Sequence, residues 1–285
     1  MGEVSGQQTS GDVRAADPPE GGGVRGLDVS VAHPARVYDA WLGGKDHFGP
    51  DRTAAEQVMA VNPGIGPGVR SNRAFLARAV RFLATECGIR QFLDLGTGLP
   101  SADNVHEVAQ AAEPGTRVVY VDDDPIVLVH ARALLTGAPG TVTYLEADLR
   151  DVDRILQGAQ PTLDLTEPVA VMLLMTLQFV ADEDRPYDLV RRYLDAVPSG
   201  SYLVISHPAS DGGAPAAVAN RATARYNQLV STSMTRRSRE QFEAFFEGLE
   251  LVEPGIVHMS QWRPDPADGE PPAASPAYCA VARKP

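Results

Sequence analysis

From residue 91 onward, short apolar runs alternate with stretches of helical spacing. Residues 91–95 (QFLDL), 117–121, 141–145, 168–175 (PVAVMLLM) and 201–206 read as strands. Between them, 101–112, 125–135, 151–157 and 184–197 carry apolar positions at helix intervals. Continuously apolar strands such as 169–175 fit a parallel sheet covered on both faces. The alternation therefore predicts a doubly wound α/β sheet with right-handed crossovers. In such sheets ligands bind outside the carboxyl ends of the strands. After the fifth strand, residues 215–235 have helical spacing and carry Tyr226 and Asn227. Ser238-Arg239-Glu240-Gln241 is a capping box, and Phe242, Phe245, Phe246 and Leu249 supply the buried face of the helix it starts. Two strand-like segments close the chain, Leu251–Met259 and Tyr278–Ala282, joined by the Pro/Asp/Gly-rich stretch 263–276. With no helix between them they must pair antiparallel.

The first 87 residues divide differently. Residues 1–27 have almost nothing to bury and read as a disordered tail. Residues 28–87 read as an N-terminal helical cap or lid, and 88–285 as the core. Within the cap, Ala35–Leu42 can form a helix that stops at Gly43-Gly44. Lys45, Asp46, His47 and Phe48 follow, and Asp51 is placed to cap a helix through Met59. So many polar and aromatic residues beside two glycines fit either a segment folding over a ligand or a helical appendage packed on the body. Ser71 opens a further helix with Phe75, Leu76, Ala79, Val80 and Leu83 on one face, and Asn72 and Arg73 in its first turn.

Composition narrows the function classes. At 285 residues and 44% hydrophobic content, the chain can bury one large core. A net charge of −12 disfavours nucleic acid and anionic membrane as partners, because phosphate neutralisation needs clustered cations. The one tight basic cluster, Arg236, Arg237 and Arg239, reads as a solvated approach to a helix. Two cysteines allow no disulfide framework or zinc pattern. With no apolar run long enough to span a membrane and no signal-peptide core, the expected location is the cytoplasm.

The candidate chemistry sits where the first strand ends. Gly96-Thr97-Gly98 follows it at once, and glycine there lets a ligand approach the backbone N–H groups. Asp94 is placed to meet an ammonium or a backbone donor. The second strand runs into Asp122-Asp123-Asp124, near the ~20-residue spacing at which a carboxylate takes ribose hydroxyls. Asp124 before Pro125 looks like a helix N-cap, a duty that leaves Asp122 free. Three further strand ends should reach the same rim: Glu146 to Leu149, then Thr176, Gln178 and Phe179, then Ser206 to Pro208.

A strand carrying DLGTG, a second ending in VD and a closing hairpin resemble the class I S-adenosylmethionine-dependent methyltransferases. More narrowly, YDAWLGGKDHFGPDR, SNRAFLARAVRFL, FLDLGTGLP and VVYVDDDP resemble a bacterial family of methyltransferases with little-defined substrates. The resemblance implies a seven-stranded sheet of order 3-2-1-4-5-7-6 and S-adenosylmethionine as cofactor. It implies that Asp94, Gly96 and Gly98 belong to the first cofactor motif, Asp122 to the ribose and Asp148 to the adenine. Thr97, Asp123, Leu149 and Asn72 are further cofactor-binding candidates. The loop departs from the wider class by carrying Leu99 or Pro100 where a third glycine is common. Gln178 stands where related sequences are expected to carry histidine.

Methyl transfer depends mainly on alignment and water exclusion, so a small-molecule acceptor needs at most one base. His47, Asp46 and His207 are the candidates. Tyr38, Trp41, Phe48, Gln178 and Tyr226 are the candidates for lining the acceptor pocket. The acceptor and the oligomeric state are not legible. Two rivals remain: an NAD-dependent oxidoreductase, since Gly96-x-Gly98-x-x-Ser101 nearly satisfies the dinucleotide fingerprint, and a non-catalytic S-adenosylmethionine-binding regulator.

Overall fold

A computed structural model describes residues 28–134, 140–211, 216–265 and 277–285. The expected tail, 1–27, and most of the connection 263–276 lie outside the described residues. The strands are β1 (Gln91–Leu95), β2 (Arg117–Asp122), β3 (Val142–Glu146), β4 (Ala170–Leu174), β5 (Tyr202–Pro208), β6 (Glu250–Leu251), β7 (Val257–His258) and β8 (Ala277–Arg283). They form one sheet of order β3-β2-β1-β4-β5-β8-β6, with β7 also on β8. β1 to β5 are parallel, and β8 runs antiparallel between β5 and β6. This is the expected doubly wound order with one change. The expected strand 251–259 is split into β6 and β7 by a turn in which the Gly255 N–H donates to the Val252 carbonyl at 2.8 Å.

Both faces of the sheet are buried, which is why its strands read as unbroken apolar runs. Leu93, Leu95, Val119, Val121, Val171 and Leu173 face one core. It is closed by Ile155 of α6 (Val152–Ala159), Tyr193 of α7 (Pro186–Asp195) and Phe242 of α9 (Arg239–Glu243). Phe92, Val118, Tyr120, Met172 and Val204 face the other. There they meet Phe75, Val80 and Leu83 of α3 (Ile65–Thr85) and Val105 and Ala109 of α4 (Val105–Ala112). Each such large side chain contributes roughly 1.5–3 kcal/mol by leaving water.

α3 starts at Ile65 rather than Ser71, so Asn72 and Arg73 sit two turns into it and not at its start. A separate apolar cluster joins α1 (Pro34–Leu42), α2 (Gly49–Val61) and α8 (Ala216–Leu229) through Val37, Ala54, Val58, Ala222 and Tyr226. Asp51 does not precede α2 but lies in its first turn, where its carboxylate accepts from the Phe48 and His33 N–H groups at 2.8 and 2.9 Å. α8 ends at Leu229, short of 235, because the Asn227 amide bonds the N–H and carbonyl of Met234 (2.8 and 3.2 Å) and turns the chain back. Among the described residues no helix is long and apolar enough to cross a membrane.

Arg237 corrects the reading of the basic cluster. It is buried at 1% exposure and donates to the Leu177 and Val180 carbonyls at 2.9 and 3.0 Å. It also donates to Asp182 and to His207 Nε2, both at 2.8 Å. His207 Nδ1 lies 2.9 Å from the Pro208 carbonyl, so the ring is neutral with its proton on Nδ1. Burial, together with the Arg237 charge, pushes His207 down to about 3. We expect Arg237→Met to lower unfolding free energy by at least ~1.5–3 kcal/mol, since four acceptors lose a charged donor. In urea melts this reads as a lower midpoint at unchanged slope.

Candidate functional site

At the carboxyl ends of β1 and β2 the backbone forms a hook. The Gly96 and Thr97 N–H groups donate to the Val121 carbonyl at 2.8 and 3.1 Å, folding the β1 loop over the tip of β2. Asp122 completes it: one carboxylate oxygen accepts from Gly98 N–H at 2.8 Å, the other from Asp124 N–H at 3.0 Å. Gly96 and Gly98 both have positive φ, +74° and +69°. Gly96 is also in close quarters, since a Cβ there would overlap the Thr176 side chain. Leu99, which replaces the third glycine, packs against Ile126 and Val127 of α5 (Pro125–Leu134). The expected helix at 101 starts only at Val105, where Asn104 and Glu107 form a capping box. The intervening loop is pinned by Arg73, which donates to the Ala102 and Asp103 carbonyls at 2.9 Å each.

A cavity of about 210 Å³ opens beside this hook. Gly96, Thr97, Gly98, Asp94, Asp122 and Asp123 line its β1–β2 side. Asp94 and Asp122 are buried carboxylates, and burial raises them to about 7 and about 6. Arg73 opposes the rise at Asp94; the Asp124 and Gly98 amides oppose it at Asp122. Among the described residues no group donates a hydrogen bond to the Asp94 carboxylate. The Nε of Arg73, which also lines the cavity, is buried and has no partner. Burial also raises Asp123. Asp124 does cap α5, accepting from Ile126 N–H at 2.9 Å, and lies 3.0 Å from His33 Nδ1. Burial disfavours the His33 cation, yet the hydrogen bond and charge of Asp124 outweigh it and raise His33.

The other candidates are spread less evenly. Asp148 and Leu149 line the cavity, but both oxygens of Asp148 are taken by Arg150 at 2.6–3.1 Å, so an adenine amine must compete with that pair. Asn72 lines it too, as the middle of a chain: Ser206 Oγ donates to its oxygen at 2.6 Å and its nitrogen donates to Tyr38 Oη at 2.9 Å. Its main contact is therefore with α1 and β5 rather than a ligand. Tyr38, Trp41, Gln178 and Tyr226 line the opposite, less polar side. Phe48 does not; it is 38% exposed under the Arg36 guanidinium.

Of the three proposed bases, none lines the cavity. His207 is locked against Arg237 below the rim. His47 and Asp46 instead buttress a residue the sequence reading passed over. Asp39 lines the cavity, and its Oδ2 lies 2.9 Å from His47 Nδ1 and accepts from Asp46 N–H at 3.0 Å. A Cβ on Gly44 would overlap this carboxylate, which explains the second glycine of the pair. Asp39 and His33 went unassigned because each lies in a helix or at its start, whereas Arg73 was expected, with Asn72, to be within reach of a ligand. The only sequence signal for Asp39 was the density of polar residues after Gly44.

A family described as S-adenosyl methyltransferase matches residues 21–285. The chain belongs to that family. A DUF574 family protein from Streptomyces avermitilis is 44% identical, with 91% of this chain and 100% of that one covered at a TM-score of 0.85. A Thermobifida fusca protein proposed to be a methyltransferase is 40% identical over 91% and 97%, with a TM-score of 0.82. No curated protein matches the chain. The protein is thus an S-adenosylmethionine-dependent methyltransferase, and the matches give no support to an oxidoreductase or a non-catalytic regulator.

The residues of this methyltransferase fit its cofactor. An α-amino acid presents an ammonium and a carboxylate side by side, and the cavity offers the buried Asp94 carboxylate and an unpartnered buried donor at Arg73 Nε. Without such a cation, two raised acids cost stability. An acid raised on folding destabilises the native state above its folded pKa and stops doing so as pH falls towards its unfolded value. Each unit is worth about 1.4 kcal/mol. We expect Asp94→Asn to melt several degrees above the wild type at pH 8 in calorimetry without ligand, the gap closing towards pH 5.

Proposed function

We propose that the cavity holds S-adenosylmethionine across the β1 and β2 tips and that a small molecule is methylated beside it. The observation that carries this reading is the pairing of Asp94 and Arg73 Nε, which complements the zwitterionic end of an amino acid and has no counterpart in NAD. In this arrangement Asp94 takes the ammonium and Arg73 the carboxylate. The Gly96–Gly98 hook lets backbone approach, and Asp122 takes the ribose hydroxyls with the second lone pair of each oxygen. Asp148 and Leu149 lie towards the base.

When bound, S-adenosylmethionine supplies a methyl carbon already activated by its positive sulfur. The protein's share is then alignment, and good orientation is worth roughly 7–11 kcal/mol. α1 and α2 act as the cap: held to α8 by their own apolar cluster, they cover the strand tips and keep water out, whereas α3 packs on the sheet. A hydroxyl or amine acceptor would shed a proton on methylation, and that proton needs a destination. Asp39 receives it, with His47 and Asp46 positioning the carboxylate. A cytoplasmic location and a small-molecule acceptor complete the proposal.

Calorimetry tests the cofactor. We expect binding of S-adenosylhomocysteine and none of NAD; the reverse would end the reading. S-adenosylhomocysteine should bind at least tenfold tighter than methylthioadenosine, which lacks the amino-acid end. Asp94→Asn should close that gap, whereas Asp122→Asn should weaken both compounds alike, by tenfold or more for one lost charge-assisted bond of about 1.5–3 kcal/mol. With an acceptor found by screening, Asp39→Asn should slow S-adenosylhomocysteine release by about 10²-fold or more at unchanged affinity for it.

A further inference from the structure

Apart from Asp39 on α1, the carboxylates lining the cavity gather at one end. Every carboxylate that draws the cofactor lies towards β1 to β3, and a second cavity of about 100 Å³ shares part of the lining of the other side. Trp41, Met175, Tyr226 and Met234 line both spaces. The Tyr226 ring stands between Trp41 and Phe179, with centroids 6.0 and 6.2 Å away. The one charged side chain lining the second space is Arg236, whose guanidinium is engaged by the Asn220 side chain and the Ala209 carbonyl.

Two buried polar atoms on this side are not satisfied by the described residues. Gln178, 4% exposed, spends its amide nitrogen on the Met175 carbonyl at 2.7 Å, leaving Oε1 buried without a donor. Tyr226, 2% exposed, has no partner for its hydroxyl. Burial raises Tyr226, so it stays a phenol. A buried polar group without a partner destabilises the fold, and both residues line the space beside the proposed methyl donor. One group satisfies an acceptor and a phenol together: a hydroxyl, donating to Gln178 Oε1 and accepting from Tyr226.

We propose that the acceptor is an uncharged, flat, largely apolar molecule anchored by a hydroxyl at Gln178 and Tyr226. An anion is excluded by the Gln178 oxygen and by the Asp39 carboxylate on the same cavity, which is kept for the acceptor proton. This inference rests on the methyl-transfer reading, because it assigns only the part of the cavity that reading leaves to the acceptor.

The test uses the full chain saturated with S-adenosylhomocysteine and three probes: 2-naphthol, naphthalene and 2-naphthoate, titrated by calorimetry. We expect 2-naphthol to bind at least tenfold tighter than naphthalene, and 2-naphthoate not to bind. Tyr226→Phe and Gln178→Leu should each reduce the naphthol preference severalfold. Tyr226→Phe should also melt no lower than the wild type, since the hydroxyl it removes has no partner in the fold. Equal binding of naphthol and naphthalene, tighter binding of naphthoate, or no binding of naphthol overturns the hydroxyl anchor while leaving the cofactor reading intact. Failure of S-adenosylhomocysteine itself to bind overturns the cofactor reading first and this inference with it.

Discussion

The site depends on a single carboxylate acting as a splice between two strand tips. Asp122 ends β2, yet its two oxygens hold the Gly98 amide of the β1 loop and the Asp124 amide that precedes α5. Without that splice the β1 loop has only the Val121 carbonyl to bend around, and α5 loses the fixed position of its cap. A buried acid shared between two backbone amides is stabilised in its charged form, but not enough to offset burial, and its pKa stays raised at about 6. The same residue therefore shapes the cradle and remains short of donors, a combination suited to ribose hydroxyls.

Around this splice the structure sorts chemistry by position. The parallel strands bring acids from β1, β2 and β3 to one half of the rim, while the cap and the turn after β4 bring aromatics and methionines to the other. Two of the ties between the cap and the core differ in character. His33 meets Asp124 at the charged end, and Tyr38 meets Asn72 and through it Ser206 at the apolar end. Both ties involve residues that line the cavity.

Much of the scaffold was legible because strands covered on both faces need continuous apolar residues, and the chain supplies them in 169–175 as plainly as in 91–95. The glycine hook and Asp122 were legible because few other uses explain Gly-x-Gly followed by an acid at the next strand end. Other parts were hidden by long-range contacts. Arg237 looked solvated because its neighbours in sequence are arginines, whereas its partners are the carbonyls of 177 and 180 and the ring of His207. His207 looked like a base because it ends a strand; only the fold shows its Nε2 accepting from a guanidinium. Asp39 was invisible because its meaning comes from Gly44, Asp46 and His47 folding back on it.

The contact between Gly96 and Thr176 sets a boundary on how the sequence can drift. Within the fold Gly98 is held by backbone torsion alone, with no described residue where a side chain would stand, so an asparagine, which tolerates left-handed torsion, is limited there by the cavity it lines and not by packing. Gly96 is held twice, by torsion and by the β4 neighbour pressed against it. Shrinking Thr176 would relieve only the second restraint, and its hydroxyl also bonds the Leu95 carbonyl at 3.1 Å. Evolution or design can therefore retune the second glycine of the hook far more freely than the first.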